Sequence, residues 1–180
     1  MNDKAKKELI EQFVNNVETA AATVEVIPAS ASLLNEVLQK QIADDKFVLF
    51  APPNDLNPDL FKEFILNEKV VSIPSKYQLK FTKTSVTDAF CGIASTGSVC
   101  VSIAQNLTSA VSMLTQKHIV VLNGSSIVPR PRNVFSEHYL DGKGLKRSFT
   151  YITGPSATAD MGPLVRGVHG PGKLHIIVLE

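Results

Sequence analysis

The sequence predicts an α/β fold with a mainly parallel sheet. Two observations carry this. Amphipathic and β-branched segments alternate as helix, strand, helix, strand, helix, strand from residue 3 to residue 73, the pattern of an α/β layer. The closing segment, Lys173 to Leu179, is apolar on both faces rather than one, as expected of a central strand covered on each side.

The elements follow in order. Residues 3–22 form an amphipathic helix, with Leu9, Ile10, Phe13, Val14 and Val17 at helical spacing and lysines and glutamates opposite. Its stripe docks on the core. Val24 to Ile27 is a β-branched strand stopped by Pro28. Ser30 then caps a helix bearing Leu33, Leu34, Val37, Leu38 and Ile42. Lys46 to Ala51 is a buried strand closed by Pro52-Pro53, Pro58 opens a short helix with Leu60, Phe61, Phe64 and Ile65, and Val70 to Ile73 is a strand closed by Pro74.

The middle changes character. Between Val86 and Ile103, two apolar runs flank Ser95-Thr96-Gly97-Ser98, which reads as a tight connection between two strands. Thr108 to Leu114 is a short helix, His118 to Leu122 a strand, Asn123-Gly124 a turn, and Ile127-Val128 another strand or edge. Residues 129–147 are the most loop-like, with a helical turn near Ser136 to Leu140. They hold Arg130, Arg132, Lys143, Lys146 and Arg147, which suit either a solvated connection or a lid that grips an anion. Ser148 to Thr153 is a strand.

Composition narrows the function classes. A single domain of 180 residues buries about 70% of its unfolded surface and needs no disulfide or metal staple. A net charge of +1 gives no ground for nucleic-acid binding, which calls for a strongly basic domain. Cys91 and Cys100, the two cysteines, read as buried thiols rather than a disulfide framework. The charged stretch from Met1 to Glu11 lacks the apolar region of a signal peptide. No apolar run approaches the ~20 residues of a membrane span. The chain is therefore expected to be cytoplasmic.

Two glycine-rich segments hold the candidate chemistry. Thr153-Gly154-Pro155-Ser156-Ala157-Thr158-Ala159-Asp160 follows a strand directly, and ligands in open α/β sheets collect outside the strands' carboxyl ends. Small residues there admit a ligand close to the backbone, and successive N–H groups form an anion nest assisted by Ser156 and Thr158. The alternative is a turn leading to a helix that Asp160 caps. The second segment, Arg166-Gly167-Val168-His169-Gly170-Pro171-Gly172, is a long loop of the kind that usually has a function. His169 is either an acid/base or ligand contact, or a group that holds the loop's shape.

Several sharper motifs are missing. There is no GxxxxGK[ST] phosphate loop, and Gly142-Lys143-Gly144 lacks the third glycine of a dinucleotide fingerprint. No CxxC is present, so iron–sulfur and structural zinc motifs are not expected in this chain. His118, His138, His169 and His175 are scattered, giving no metal site. A Ser156, His169, Asp160 triad lacks a nucleophile elbow.

The same segments resemble a known family. Residues 152–160 (Ile-Thr-Gly-Pro-Ser-Ala-Thr-Ala-Asp) and 164–179 (Leu-Val-Arg-Gly-Val-His-Gly-Pro-Gly-Lys-Leu-His-Ile-Ile-Val-Leu) resemble the closing motifs of the LUD (lactate utilization) domain family, in its LutC-like branch. Residues 86–98 resemble its TDA…GIAETGT element, and residues 118–122 its HI-apolar strand. Three departures stand out. Ser95 replaces the usual acidic residue before Thr-Gly, Gly162 an acidic residue after the TAD element, and Ser109 an arginine of many members. Asp88 and Asp160 are then the acidic candidates left for catalysis, beside His169.

The resemblance implies a three-layer fold similar to the NagB/RpiA/CoA-transferase group and to 5-formyltetrahydrofolate cyclo-ligase. It implies one LUD domain over residues 1–180, with residues 1–23 as an N-terminal helical extension. It also implies a part in oxidising L-lactate to pyruvate beside iron–sulfur partner proteins, the clusters residing in those partners. The expected ligand contacts are Thr96, Gly97, Thr153, Gly154, Ser156, Thr158, Arg166, Gly167 and Gly170, around a small anionic ligand. Two other functions fit: a stand-alone enzyme for a phosphorylated, CoA-linked or folate-like substrate, or a scaffold or regulator with a degenerate pocket. Fold alone does not choose among them, and a homo-oligomer is compatible with each.

Overall fold

A six-stranded parallel sheet is the spine of the computed structural model, which describes residues 3–103, 106–135, 148–160 and 162–180. In chain order the elements begin α1 (Asp3–Thr19), β1 (Thr23–Ile27), α2 (Ala31–Gln41), β2 (Val48–Phe50), β3 (Val70–Val71), α3 (Lys76–Phe81) and β4 (Thr84–Ala89). They continue β5 (Cys91–Ile93), β6 (Ser98–Ser102), α4 (Asn106–Leu114), β7 (Lys117–Asn123), β8 (Ile127–Val128), β9 (Phe149–Thr153), β10 (Ala157–Thr158), β11 (Val165–Arg166) and β12 (Lys173–Leu179). The main sheet runs β1-β12-β7-β4-β2-β3, so the closing strand is central as its apolar pattern predicts.

Three layers result. Alternation along a strand sends successive side chains to opposite faces. Ile119, Val121, Ile177 and Leu179 pack with Leu34 and Leu38 of α2, with Ile42 just after it, and with Phe61 and Phe64. Val120, Leu122, Ile176 and Val178 face the other way, onto Ile10, Phe13 and Val17 of α1. Ala94, Val99 and Ile127 complete that second core. Val99 and Ile127 belong to a four-stranded sheet, β8-β5-β6-β9, and Ala94 directly follows its β5.

The apolar stretch from Val86 to Ile103 serves two sheets, not one. β4 ends at Ala89 in the parallel sheet. At Phe90 the chain turns into the second sheet, the Phe90 N–H donating to the Cys100 carbonyl (3.1 Å). The Thr96-Gly97 break is the expected hairpin between β5 and β6, which sets Cys91 opposite Cys100. Both thiols are free and buried.

The helix expected after Pro58 forms as two short 3₁₀ turns, Pro58–Phe61 and Phe64–Leu66. α3 has no strong apolar stripe, and its start signal is local. The Ser75 hydroxyl accepts from the Gln78 N–H while the Gln78 side chain accepts from the Ser75 N–H, a reciprocal cap. The helical turn expected near Ser136 to Leu140, and Gly142, Lys143, Gly144, Lys146 and Arg147 of the basic loop, lie outside the described residues.

Candidate functional site

The two glycine-rich segments fold against each other. The Ser156 N–H donates to the Pro171 carbonyl (2.8 Å), and the Gly167 N–H donates to the Ser156 carbonyl (2.9 Å). Ala157 and Thr158 of β10 pair with Arg166 and Val165 of β11. A Cβ on Gly170 would sit 3.3 Å from the Ser156 Cβ, and one on Gly172 would sit 3.2 Å from the Gly167 Cα. Here the glycines let two loop backbones approach. The helix that Asp160 caps in the alternative reading of this segment is not formed among the described residues. A two-residue hairpin stands in its place, and the Asp160 N–H reaches only the Thr158 hydroxyl at 3.5 Å.

The position of this double loop differs from the sequence expectation. The strand before it, β9, belongs to the four-stranded sheet rather than the parallel one. The loop then crosses to the amino ends of the parallel strands, where it lines a cavity of about 1000 Å³ with Thr84, Lys117 and Lys173. Hydrophobic pattern identifies a strand but not its sheet, and the carboxyl-end rule applies only to the parallel one.

That cavity is basic. Lys173 of β12 lies in register with Lys117 of β7, and Lys117 with Thr84 of β4. Lys83 sits one residue before β4 and its carbonyl accepts from the Gln116 and Lys117 N–H groups, each at 2.9 Å. Lys83, Lys117, Lys173 and Arg166 therefore converge with His169 on one opening, where Asp45 is the one carboxylate among the described lining residues. The Lys117 ammonium donates to the Gln41 carbonyl (2.8 Å) and side-chain oxygen (2.7 Å). Burial pushes its pKa down; the Asp45 charge opposes that, the Lys173 charge adds to it, and the Glu25 charge opposes it.

A second, smaller cavity of about 400 Å³ adjoins the basic one, sharing Met113, His169 and Gly170. His118, Thr153, Gly154, Ser156, His169 and Gly170 are among its lining residues. His118 is fully buried, and its Nε2 lies 2.8 Å from the Thr87 hydroxyl. Burial pushes its pKa down to about 3, so the ring is neutral. His175 is likewise pushed down by burial, with Glu25 opposing. Its Nε2 is 3.4 Å from the Glu25 carboxylate but lacks hydrogen-bond geometry, so this is an electrostatic contact.

The expected site residues divide only in part. Arg166 and Gly167 line the basic cavity, Thr153, Gly154 and Ser156 line the smaller one, and His169 and Gly170 line both. His169 alone of the three catalytic candidates lines either. Thr96 lies apart, its hydroxyl joined to Ser98 (2.6 Å), which is joined in turn to Thr153 (2.6 Å). Gly97 and Gly154 have φ of +62° and +66°, and each lies under the α1 segment of the chain, against Asn16–Val17 and Ala20 respectively. Ser95 is exposed, its N–H bonded to the Pro129 carbonyl (3.1 Å). The lysines at the strand starts are the residues that sequence reasoning missed. Each begins or precedes an apolar strand, but their convergence depends on register.

Asp88 has another task. It is buried at the carboxyl end of β4, and one oxygen accepts from the N–H groups of Asn54 (2.9 Å), Asp55 (2.6 Å) and Leu56 (3.0 Å). Burial pushes its pKa up, and the three hydrogen bonds only partly offset that. The carboxylate fixes the turn after β2. Asp88→Ala would orphan these donors and is expected to cost about 2–3 kcal/mol, read from the urea midpoint.

The architecture and the double glycine loop define a class: a three-layer α/β domain whose last loop covers the amino edge of its parallel sheet. The LUD domain family model matches residues 10–179, and the chain belongs to that family. It is 34% identical to lactate utilization protein C of Bacillus licheniformis over 99 residues, 53% of this chain and 41% of that protein. Against lactate utilization protein C of Bacillus subtilis the identity is 34% over 92 residues, 49% of this chain and 38% of that one. The matches thus span less than half the length of these relatives. The crystal structure of a DUF162 family protein from Deinococcus radiodurans superposes with a TM-score of 0.71 at 22% identity, covering 97% of this chain and 98% of that one. This likeness is one of fold.

Proposed function

We propose that the chain is a LutC-like, non-redox component of L-lactate utilization that binds a small anion in the basic cavity. The names of its relatives support the process. The observation that carries anion binding is the in-register row of Lys173 and Lys117 with Lys83, faced by Arg166 and His169. Arg166 gives a fork for a carboxylate or phosphate, the lysines give point charges, and Gly167 and Gly170 keep the loop backbone close. Oxidation of lactate to pyruvate is assigned to iron–sulfur partner proteins in the cytoplasm. Such a component works by binding and assembly, and His169 is its one candidate proton carrier at the cavity.

Deleting the gene for the chain is expected to abolish growth on L-lactate, and the wild-type chain should co-purify with iron–sulfur subunits. Growth unaffected by the deletion would contradict this reading. A second reading rests on cavity size. About 1000 Å³ exceeds what lactate fills, which favours a stand-alone enzyme for a phosphorylated, CoA-linked or folate-like substrate. Turnover of such a substrate by the isolated chain would support it. Exposed Ser95, in place of an acidic residue, favours a scaffold or regulator with a degenerate pocket. Restoring glutamate there would leave every ligand response unchanged.

A further inference from the structure

We propose that the ligand of the basic cavity is an amphiphilic anion: a phosphate or carboxylate head that carries a hydrocarbon body, with the body lying on Met113, Leu114 and Val168. This deepens the anion reading and rests on it.

The cavity joins two chemistries. Its lysines lie toward α2: Lys117 reaches Gln41 at the end of that helix, and Lys173 is its register neighbour. Its apolar side chains come from elsewhere. Met113 and Leu114 end α4, and Val168 belongs to the double loop. α4 packs on the opposite face of the sheet, where Val111 meets Leu49 and Ala51, whereas Val48 and Phe50 meet α2. A ligand that fills the cavity therefore meets cations at one end and hydrocarbon at the other.

The apolar end is not a piece of the core. Met113, Leu114 and Val168 are 58%, 66% and 51% exposed. α4 is anchored by another face, on which Thr108 and Val111, and Thr115 just after the helix, are buried at helical spacing. Single exposed apolar side chains are ordinary. Three around one opening form a patch that marks a binding surface. Arg166 and Val168 stand two residues apart on the double loop, so contacts to the head and to the body adjoin. A volume of about 1000 Å³ leaves room for both. The patch lines a concave opening, which fits one molecule rather than a bilayer surface.

The test is titration calorimetry with inorganic phosphate, butyl phosphate, hexyl phosphate and 1-hexanol. Butyl phosphate is expected to bind about tenfold tighter than phosphate, and hexyl phosphate about fourfold tighter again. 1-Hexanol, which lacks the charge, should bind at least about tenfold more weakly than hexyl phosphate. In the double variant Met113→Ser, Leu114→Ser the gain from the chain should vanish. The wild-type series decides the matter even if that variant does not fold. Lys173→Gln should weaken phosphate and hexyl phosphate by the same factor. Phosphate bound with no gain from the hexyl chain would overturn this proposal and leave the anion site standing. Binding of neither would overturn both. A gain that survives in the double variant would overturn the placement of the body. Binding to anionic phospholipid vesicles without binding of hexyl phosphate would overturn the proposal in favour of a membrane surface.

Discussion

Replacing Gly97 by alanine is expected to destabilise the fold by about 2–5 kcal/mol, and Gly154→Ala by a similar amount. Two costs add. Each glycine has a left-handed φ, +62° and +66°, which costs an L-residue about 1–2 kcal/mol. Each added Cβ would also collide with backbone: at Gly97 with the Asn16 carbonyl carbon and the Val17 nitrogen, at Gly154 with the Ala20 carbonyl oxygen. Overpacking of this kind costs about 1–3 kcal/mol. α1 has little room to retreat. Phe13 and Val17 are fully buried, and the Asn16 amide donates to the Ala94 carbonyl at 2.8 Å. Gly162 is the control. Its φ is +129°, but a Cβ there meets nothing within 4 Å, so Gly162→Ala carries only the conformational cost. Urea midpoints for the three variants separate the terms. Equal losses at all three positions would show that α1 does not press on the two loops.

Acidification from pH 7 to pH 4 is expected to remove about 3 kcal/mol of stability through His118 alone. In the unfolded chain the imidazole titrates near 6.5, and in the fold near 3. The folded pKa is depressed, so the stability is present above 6.5 and is lost as pH falls from about 6.5 to about 3. The unfolded chain takes up the proton in that window and the fold does not. His175, also depressed, acts in the same direction. Asp88 acts oppositely, since its raised pKa lets the folded state bind a proton more readily than the unfolded one. His118→Gln keeps a polar partner for Thr87 and removes the titration. The difference between wild-type and variant stability across this range isolates the residue. A difference independent of pH would mean that the ring is not buried neutral.

Much of the architecture is legible in the sequence because burial leaves a period. The central position of β12 follows from its two-sided apolar pattern, and the β5–β6 hairpin from Thr96-Gly97. The docking of α1 follows from Ile10, Phe13 and Val17. What period does not encode is which sheet a strand joins. Val86 to Ala89 and Cys91 to Ile93 are both buried throughout, yet Phe90 divides them between two sheets. The site divides the same way. The two glycine segments do meet, as their length and composition imply. But Gly97 packs against Asn16 and Val17 of α1, and Gly154, while lining the smaller cavity, packs against Ala20 just after it, contacts that the sequence does not announce. Asp88 looks like a free acid and is occupied by three N–H groups. The convergence of Lys83, Lys117 and Lys173 exists only once the parallel strands are in register, and no local signal announces it.

The proposed anion site is this row together with Arg166. Titration calorimetry with inorganic phosphate at low salt probes it on the wild-type chain, on Lys173→Gln and on Arg166→Gln. Binding is expected to weaken about tenfold in each variant and to fall further as salt rises, while Lys4→Gln, on the exposed face of α1, binds as wild type. Phosphate binding unchanged by the loss of Lys173 and Arg166, or none at millimolar concentration, would contradict it.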